Sequence, residues 1–188
     1  MSQIRDLVCR VRRSPVTLMM LAGSAAAALT GCQATSNNPS GVSGRYILSL
    51  CDADMPATAF ADNQLGPRTD DKDMMTIIGL PIADGKDPKY ETPFAQLSVS
   101  NSVIGPPQAV AVTMDGKWAY VIENHGAAPD GATSTDQLPV GRSLTRIDLT
   151  NPLKPVEAGK LTVGTEPMAV DVNAAGDLVA VVSREKRK

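Results

Sequence analysis

Two segments of this chain repeat each other at a constant offset of 60 residues, and that repetition constrains the fold more than any single motif. The fifteen residues from Pro107 to Val121 (PQAVAVTMDGKWAYV) align without a gap to Pro167–Val181 (PMAVDVNAAGDLVAV). Pro, Ala, Val, Val, Gly and Val recur at 107/167, 109/169, 110/170, 112/172, 116/176 and 121/181. In each copy apolar residues alternate (Val110, Val112, Met114; Val170, Val172, Ala174), the period of a strand with one buried face. Asp115-Gly116 and Ala175-Gly176 then supply a tight turn at which glycine accepts positive φ, and a second apolar strand follows. Each copy therefore predicts a β-hairpin.

Between the copies, residues 143–149 (SLTRIDL) and 159–163 (GKLTV) predict two further strands across a Pro-rich turn, Thr150 to Pro155. Four strands per cycle is the make-up of one propeller blade. An earlier partial copy is legible, with residues 75–80 (MTIIGL) matching the pattern of 144–149 and followed by 95–103; residues 45–50 (RYILSL) predict a first strand.

The runs GPPQAVAVTMDGKWAYVIEN and GTEPMAVDVNAAGDLVAVVS resemble the YVTN-type β-propeller repeat, also found in the lactonase-like propeller superfamily. LTRIDLTNPLKPVEAGKL is similar to the strand-Asn-Pro-strand connection of related repeats. The resemblance spans roughly residues 74 to 183 and speaks to architecture, not to an activity. It implies an all-β partial β-propeller of about two four-stranded blades over residues 45–188. The 60-residue period exceeds the usual 40 to 45 or so per blade, and the excess has a visible source. Residues 124–142 (NHGAAPDGATSTDQLPVGR) read as a long loop without regular structure, the candidate rim for a protein or small-molecule ligand, with a mobile insertion of no role as the alternative. Propellers close with about four to eight blades, so the expectation is an N-terminal fragment of a larger ring, or several copies assembled into one.

The N-terminus points to the cell envelope. Arg5, Arg10, Arg12 and Arg13 stand against a single Asp6, and residues 16–29 (VTLMMLAGSAAAAL) then carry no ionisable group. That stretch is shorter than the roughly 20 residues of a membrane span and fits the core of a secretory signal. Leu29-Thr30-Gly31-Cys32 resembles the bacterial lipobox, which implies cleavage before Cys32 and a lipid on its thiol. The reading is a signal helix and signal peptide over 1–31, a lipidated Cys32 with a flexible tether over 32–44, and export by the general or the twin-arginine route through Arg12-Arg13. Gln33 is not the Asp associated with inner-membrane retention, so the anchor is expected in the outer membrane facing the periplasm. The eleven polar residues 33–43 span about 18 Å as a flexible chain.

Removal of residues 1–31 takes four of 18 basic and one of 20 acidic side chains, leaving 14 against 19. An acidic chain without a basic, aromatic-flanked patch is not built for nucleic acid. Cys9 leaves with the signal and Cys32 is acylated, so Cys51 is the remaining thiol and no internal disulfide is expected.

No residue stands out as catalytic, cofactor-binding or metal-ligating. His125 is the only histidine and no Gly-x-Ser-x-Gly elbow accompanies it, so it reads as a solvated loop residue. Asp52-Ala-Asp54 and Asp70-Asp71-Lys72-Asp73 lack the Gly and Glu of an EF-hand loop and read as acidic turns. Trp118, beside a turn, reads as packing between blades. The expectation is a membrane-anchored binding or scaffold module with no cofactor; the alternative is a lactonase-like or cofactor-dependent propeller enzyme whose catalytic residues lie beyond this chain.

Overall fold

The computed structural model describes residues 44–53, 58–66, 72–83, 91–102 and 108–184, together with the backbone of 5–10. The lipobox, Cys32 and the tether residues 33–43 lie outside the described residues, as do Asp54, Asp70 and Asp71. In chain order the elements are β1 (Arg5–Arg10), β2 (Tyr46–Cys51), the short helix α1 (Ala59–Asp62), β3 (Met74–Gly79), β4 (Phe94–Ser98), β5 (Val110–Val112) and β6 (Trp118–His125). There follow a 3₁₀ turn at Thr135–Gln137, then β7 (Val140–Asp148), β8 (Val156–Thr162), β9 (Pro167–Val172) and β10 (Leu178–Ser183). The strands form three antiparallel sheets in the orders β2-β3-β4, β5-β6-β7-β8 and β1-β10-β9.

The two repeat copies form hairpins in the same register. Val110 pairs with Val121 and Val112 with Ala119; sixty residues on, Val170 pairs with Val181 and Val172 with Val179. The turns match as well: Gly116 N–H donates to Thr113 O and Gly176 N–H to Asn173 O, with φ of 66° and 70° at the two glycines. Thr113 Oγ1 accepts from Trp118 N at 3.1 Å, and Asn173 Oδ1 accepts from Leu178 N at 3.1 Å. Thr and Asn are interchangeable there because each offers a short side-chain oxygen to the turn's backbone donors.

The β5–β7 part of the four-stranded sheet is covered on both faces, while β8 is exposed along its length. Along β6, Ala119 and Val121 join Met75, Ile77, Val99, Ile147 and Leu149 in a core against the β2-β3-β4 sheet. Tyr120 and Ile122 alternate onto the other face, where Ala109, Ala111, Leu144, Val163, Val170, Val179 and Val181 pack between β5–β8 and β9–β10. Period-2 alternation with both faces apolar is what a middle layer requires. The aliphatic groups removed from water on these faces are the main stabilising term.

Two expectations are corrected. About two four-stranded blades are expected, but the described strands form one four-stranded and two three-stranded sheets, none closed on itself. The partial copy accounts for the extra layer, because Met75 and Ile77 bury one face of β3 in the core that β2-β3-β4 shares with β6 and β7. A signal helix is expected over residues 1–31; at Arg5–Arg10 the backbone is instead extended and pairs with β10, Leu7 opposite Val181, while residues 11–31 lie outside the described residues. The physical reason is that β10 presents an open edge whose N–H and C=O groups gain partners from an added strand.

Candidate functional site

The strand ends of the middle sheet carry its most elaborate polar structure. Expected as an irregular loop over 124–142, this region is shorter and more ordered: β6 runs through His125 and β7 starts at Val140, leaving 126–139 as the connection. Ser134 caps the 3₁₀ turn, and its side chain and that of Gln137 complete a reciprocal capping box. Gln137 Oε1 accepts from Thr133 N at 2.7 Å and Ser134 N at 3.1 Å. The loop also docks on the segment after α1: Leu65 N donates to Thr133 O at 2.9 Å and Thr135 N to Asn63 O at 3.0 Å. Leu138 and Ala128 are buried beneath it. This order comes from the local capping box together with partners about seventy residues away in sequence.

Under the loop, Glu123 accepts hydrogen bonds from Ser100 Oγ and, at 2.6 Å, from Ser143 Oγ, with Lys160 Nζ at 3.9 Å. Ser102 Oγ clamps the main chain of His125, donating to its O at 2.8 Å and accepting from its N at 3.0 Å. The nearby hydroxyls thus engage a carboxylate and a backbone, and the half-buried position of His125 replaces the solvated one expected for it. Gly141 permits this crowding, since a Cβ there would lie 2.0 Å from Glu123 O, where the β6–β7 register shifts.

Of the acidic residues in the two expected turns, Asp52 and Asp73 are described, and they fall at the other polar cluster. Asp73 accepts from Ala53 N at 2.9 Å and from Asn101 N at 3.0 Å, while Asn101 Nδ2 donates to Cys51 O and Val99 O. These bonds staple the ends of β2, β3 and β4 together. Among the described residues no three His, Cys, Asp or Glu side chains gather as a metal-holding group. Trp118 packs against the core shared with β9 and β10, and the Arg146 guanidinium lies 3.9 Å from its ring centre, a cation–π contact. Cys51 is an exposed free thiol.

Sequence reading missed a groove of about 560 Å³ between β2 and β5, lined by Gly44 to Tyr46, Leu48, Val110, Val112 and the Met114–Gly116 turn. Its polar end is tied across 70 residues of sequence: Arg45 Nη2 donates to Asp115 O at 2.8 Å, and Tyr46 OH to Gly116 O at 2.7 Å. Burial raises the Tyr46 phenol above its ordinary value, against the opposing pull of Arg45. The Asp115 carboxyl is held below its ordinary value, first by the Thr113 hydroxyl and then by Lys117 N–H. The Asp-Gly pair signalled a turn; nothing local signals what docks on it.

No protein-family model, curated protein or solved structure matches the chain.

Proposed function

We propose that this chain is a lipid-anchored protein of the bacterial cell envelope, held through Cys32 in the outer membrane on its periplasmic side, where stacked propeller-type sheets of the YVTN kind serve as a binding or scaffold module. The observation that carries the architectural half is the 60-residue repeat, whose two hairpins share both register and turn hydrogen bonds. Repetition of a stacked unit gives a rigid body, and ligand contacts on such a body fall to its connections and inter-sheet clefts. The ordered 126–139 connection and the β2–β5 groove are two such places in the described residues.

Location rests on the charged start, apolar core and Leu-Thr-Gly-Cys run of residues 5–32. Acyl chains contribute about 0.8 kcal/mol per buried CH₂, and two or more of them give stable attachment without a membrane span. Expression in a Gram-negative host fed labelled palmitate tests this. The label is expected on the full chain and lost in Cys32→Ala, with the protein sedimenting with outer membranes only when labelled; equal labelling of the two forms would overturn the assignment.

A further inference from the structure

Resting on that reading of a membrane-tethered binding module, we propose that the groove between β2 and β5 binds a monomeric single-chain anionic amphiphile. Its acyl body lies against Leu48, Val110 and Val112, and its acidic head meets the guanidinium of Arg45. At about 560 Å³ the groove falls within the range of small-molecule sites, roughly 300–1,000 Å³. Its walls are aliphatic: Leu48, Val110 and Val112 are only partly covered by the core they border. Met114, 82% exposed at the turn, adds a flexible thioether that adapts to an alkyl chain.

Charge selects the head group. Arg45 makes no ion pair among the described residues, and its one side-chain hydrogen bond there goes to a main-chain oxygen. A guanidinium carries five N–H donors in a planar fork, so donors remain for the two oxygens of a carboxylate. The adjacent Asp115 carboxylate is turned to its own loop, accepting from Thr113 Oγ1 at 2.6 Å and Lys117 N at 3.1 Å, with Lys117 Nζ at 3.6 Å. It therefore does not neutralise Arg45 by a direct pair.

Position favours a lipid-like ligand over a peptide. Gly44 and Arg45, in the lining of the groove, directly follow the segment that begins at Cys32. Eleven residues separate the proposed anchor at Cys32 from the groove, so on that reading the groove is tethered near the bilayer from which such amphiphiles partition.

The test uses the full chain as Cys32→Ala, purified without detergent, and calorimetric titration with dodecanoate below its micelle concentration. Saturable one-to-one binding is expected, with dodecanol and acetate each weaker by at least about tenfold, since one lacks the charge and the other the apolar body. Met114→Glu places a negative charge on an exposed wall without touching the core and is expected to weaken dodecanoate binding about tenfold, whereas Met114→Lys strengthens it. Arg45→Gln is expected to abolish the preference for dodecanoate over dodecanol, and Arg45→Lys to restore part of it.

Equal affinity for dodecanol and dodecanoate, no effect of Met114→Glu, or no saturable heat each overturns the proposal. Two further outcomes do the same: binding only to phosphatidylglycerol vesicles, or only to a peptide of sequence Pro-Met-Ala-Val-Asp-Val, which adds a strand to the β2 edge. Palmitate labelling of Cys32 in the unaltered chain is read separately, so loss of ligand binding with labelling intact refutes the ligand class and leaves the anchored module standing.

Discussion

Gly116 illustrates how one residue couples a turn to a distant strand. Its φ of 66° closes the β5–β6 hairpin, and its bare Cα lets two side chains from the start of β2 approach. A Cβ at this position would lie 2.6 Å from Arg45 Nη2 and 3.2 Å from Tyr46 OH. Gly116→Ala therefore combines left-handed strain with displacement of two inter-sheet hydrogen bonds, and a loss of about 2–3 kcal/mol is expected in urea denaturation. Gly176→Ala shares the φ of 70° but meets nothing nearer than Thr113 Cγ2 at 3.5 Å, so its loss should be smaller, about 1 kcal/mol. Tyr46 extends the argument to pH. Its raised pKa means the folded chain holds the phenolic proton more tightly than the unfolded chain. The associated stability is complete below the ordinary value of 10.0 and is lost as pH rises through the raised one. Tyr46→Phe should remove one phenolate from the native absorbance titration, and the component it removes should have its midpoint above 10.0. Asp115 and Asp148 run the other way: held low first by the hydroxyls of Thr113 and Thr150, they add stability that is lost only as pH falls through their lowered values.

At the scale of elements, what was legible in the sequence was whatever depends on near neighbours. The hairpins at 107–121 and 167–181 were readable because alternation and a glycine turn fix strand, register and buried face within fifteen residues. β2, β3, β7 and β8 fell within a few residues of their expected places for the same reason. The capping box Ser134-Thr135-Asp136-Gln137 was also a local signal, and reading it would have found the 3₁₀ turn inside a segment taken as irregular. What sequence could not carry is the meeting of separated side chains: Ser100 and Ser143 on Glu123, Asp73 on Ala53 and Asn101, and Arg45 on the turn at Asp115. Each joins residues 20 to 70 positions apart, and no periodicity encodes such a pair. The loop 126–139 offers a measurement. Gln137→Ala removes the acceptor of Thr133 N and Ser134 N from an exposed position, which costs the local structure about 1 kcal/mol. Hydrogen exchange should quicken about fivefold at the loop amides while β6 and β7 keep their protection, because the loop opens without the sheet. Unchanged exchange in the loop would show that docking on the segment after α1 alone orders it.

For the whole molecule, the decisive feature is that the β5–β8 sheet is the shared wall of two cores. Ile122 belongs to the core facing β9–β10 and Ile147 to the core facing β2–β4, and both are fully buried in the same sheet. Neither flanking sheet can keep its apolar face from water without that middle layer, so losing either core exposes a face of β5–β8 as well. Coupling of this kind makes unfolding a single cooperative event, as in a stack whose units are stabilised through their interfaces. Ile122→Ala and Ile147→Ala should each cost about 2–5 kcal/mol through lost burial and cavity formation. If the layers are coupled, each variant lowers one common melting midpoint, seen alike by Trp118 fluorescence and by hydrogen exchange at Val181 and Met75, which lie in opposite cores. The double variant should then be additive within about 0.5 kcal/mol, because the two side chains point to opposite faces and share no cavity. Two resolved transitions, with Ile147→Ala shifting only the one reported by Met75, would show that the sheets fold independently and that the stack is an association of parts.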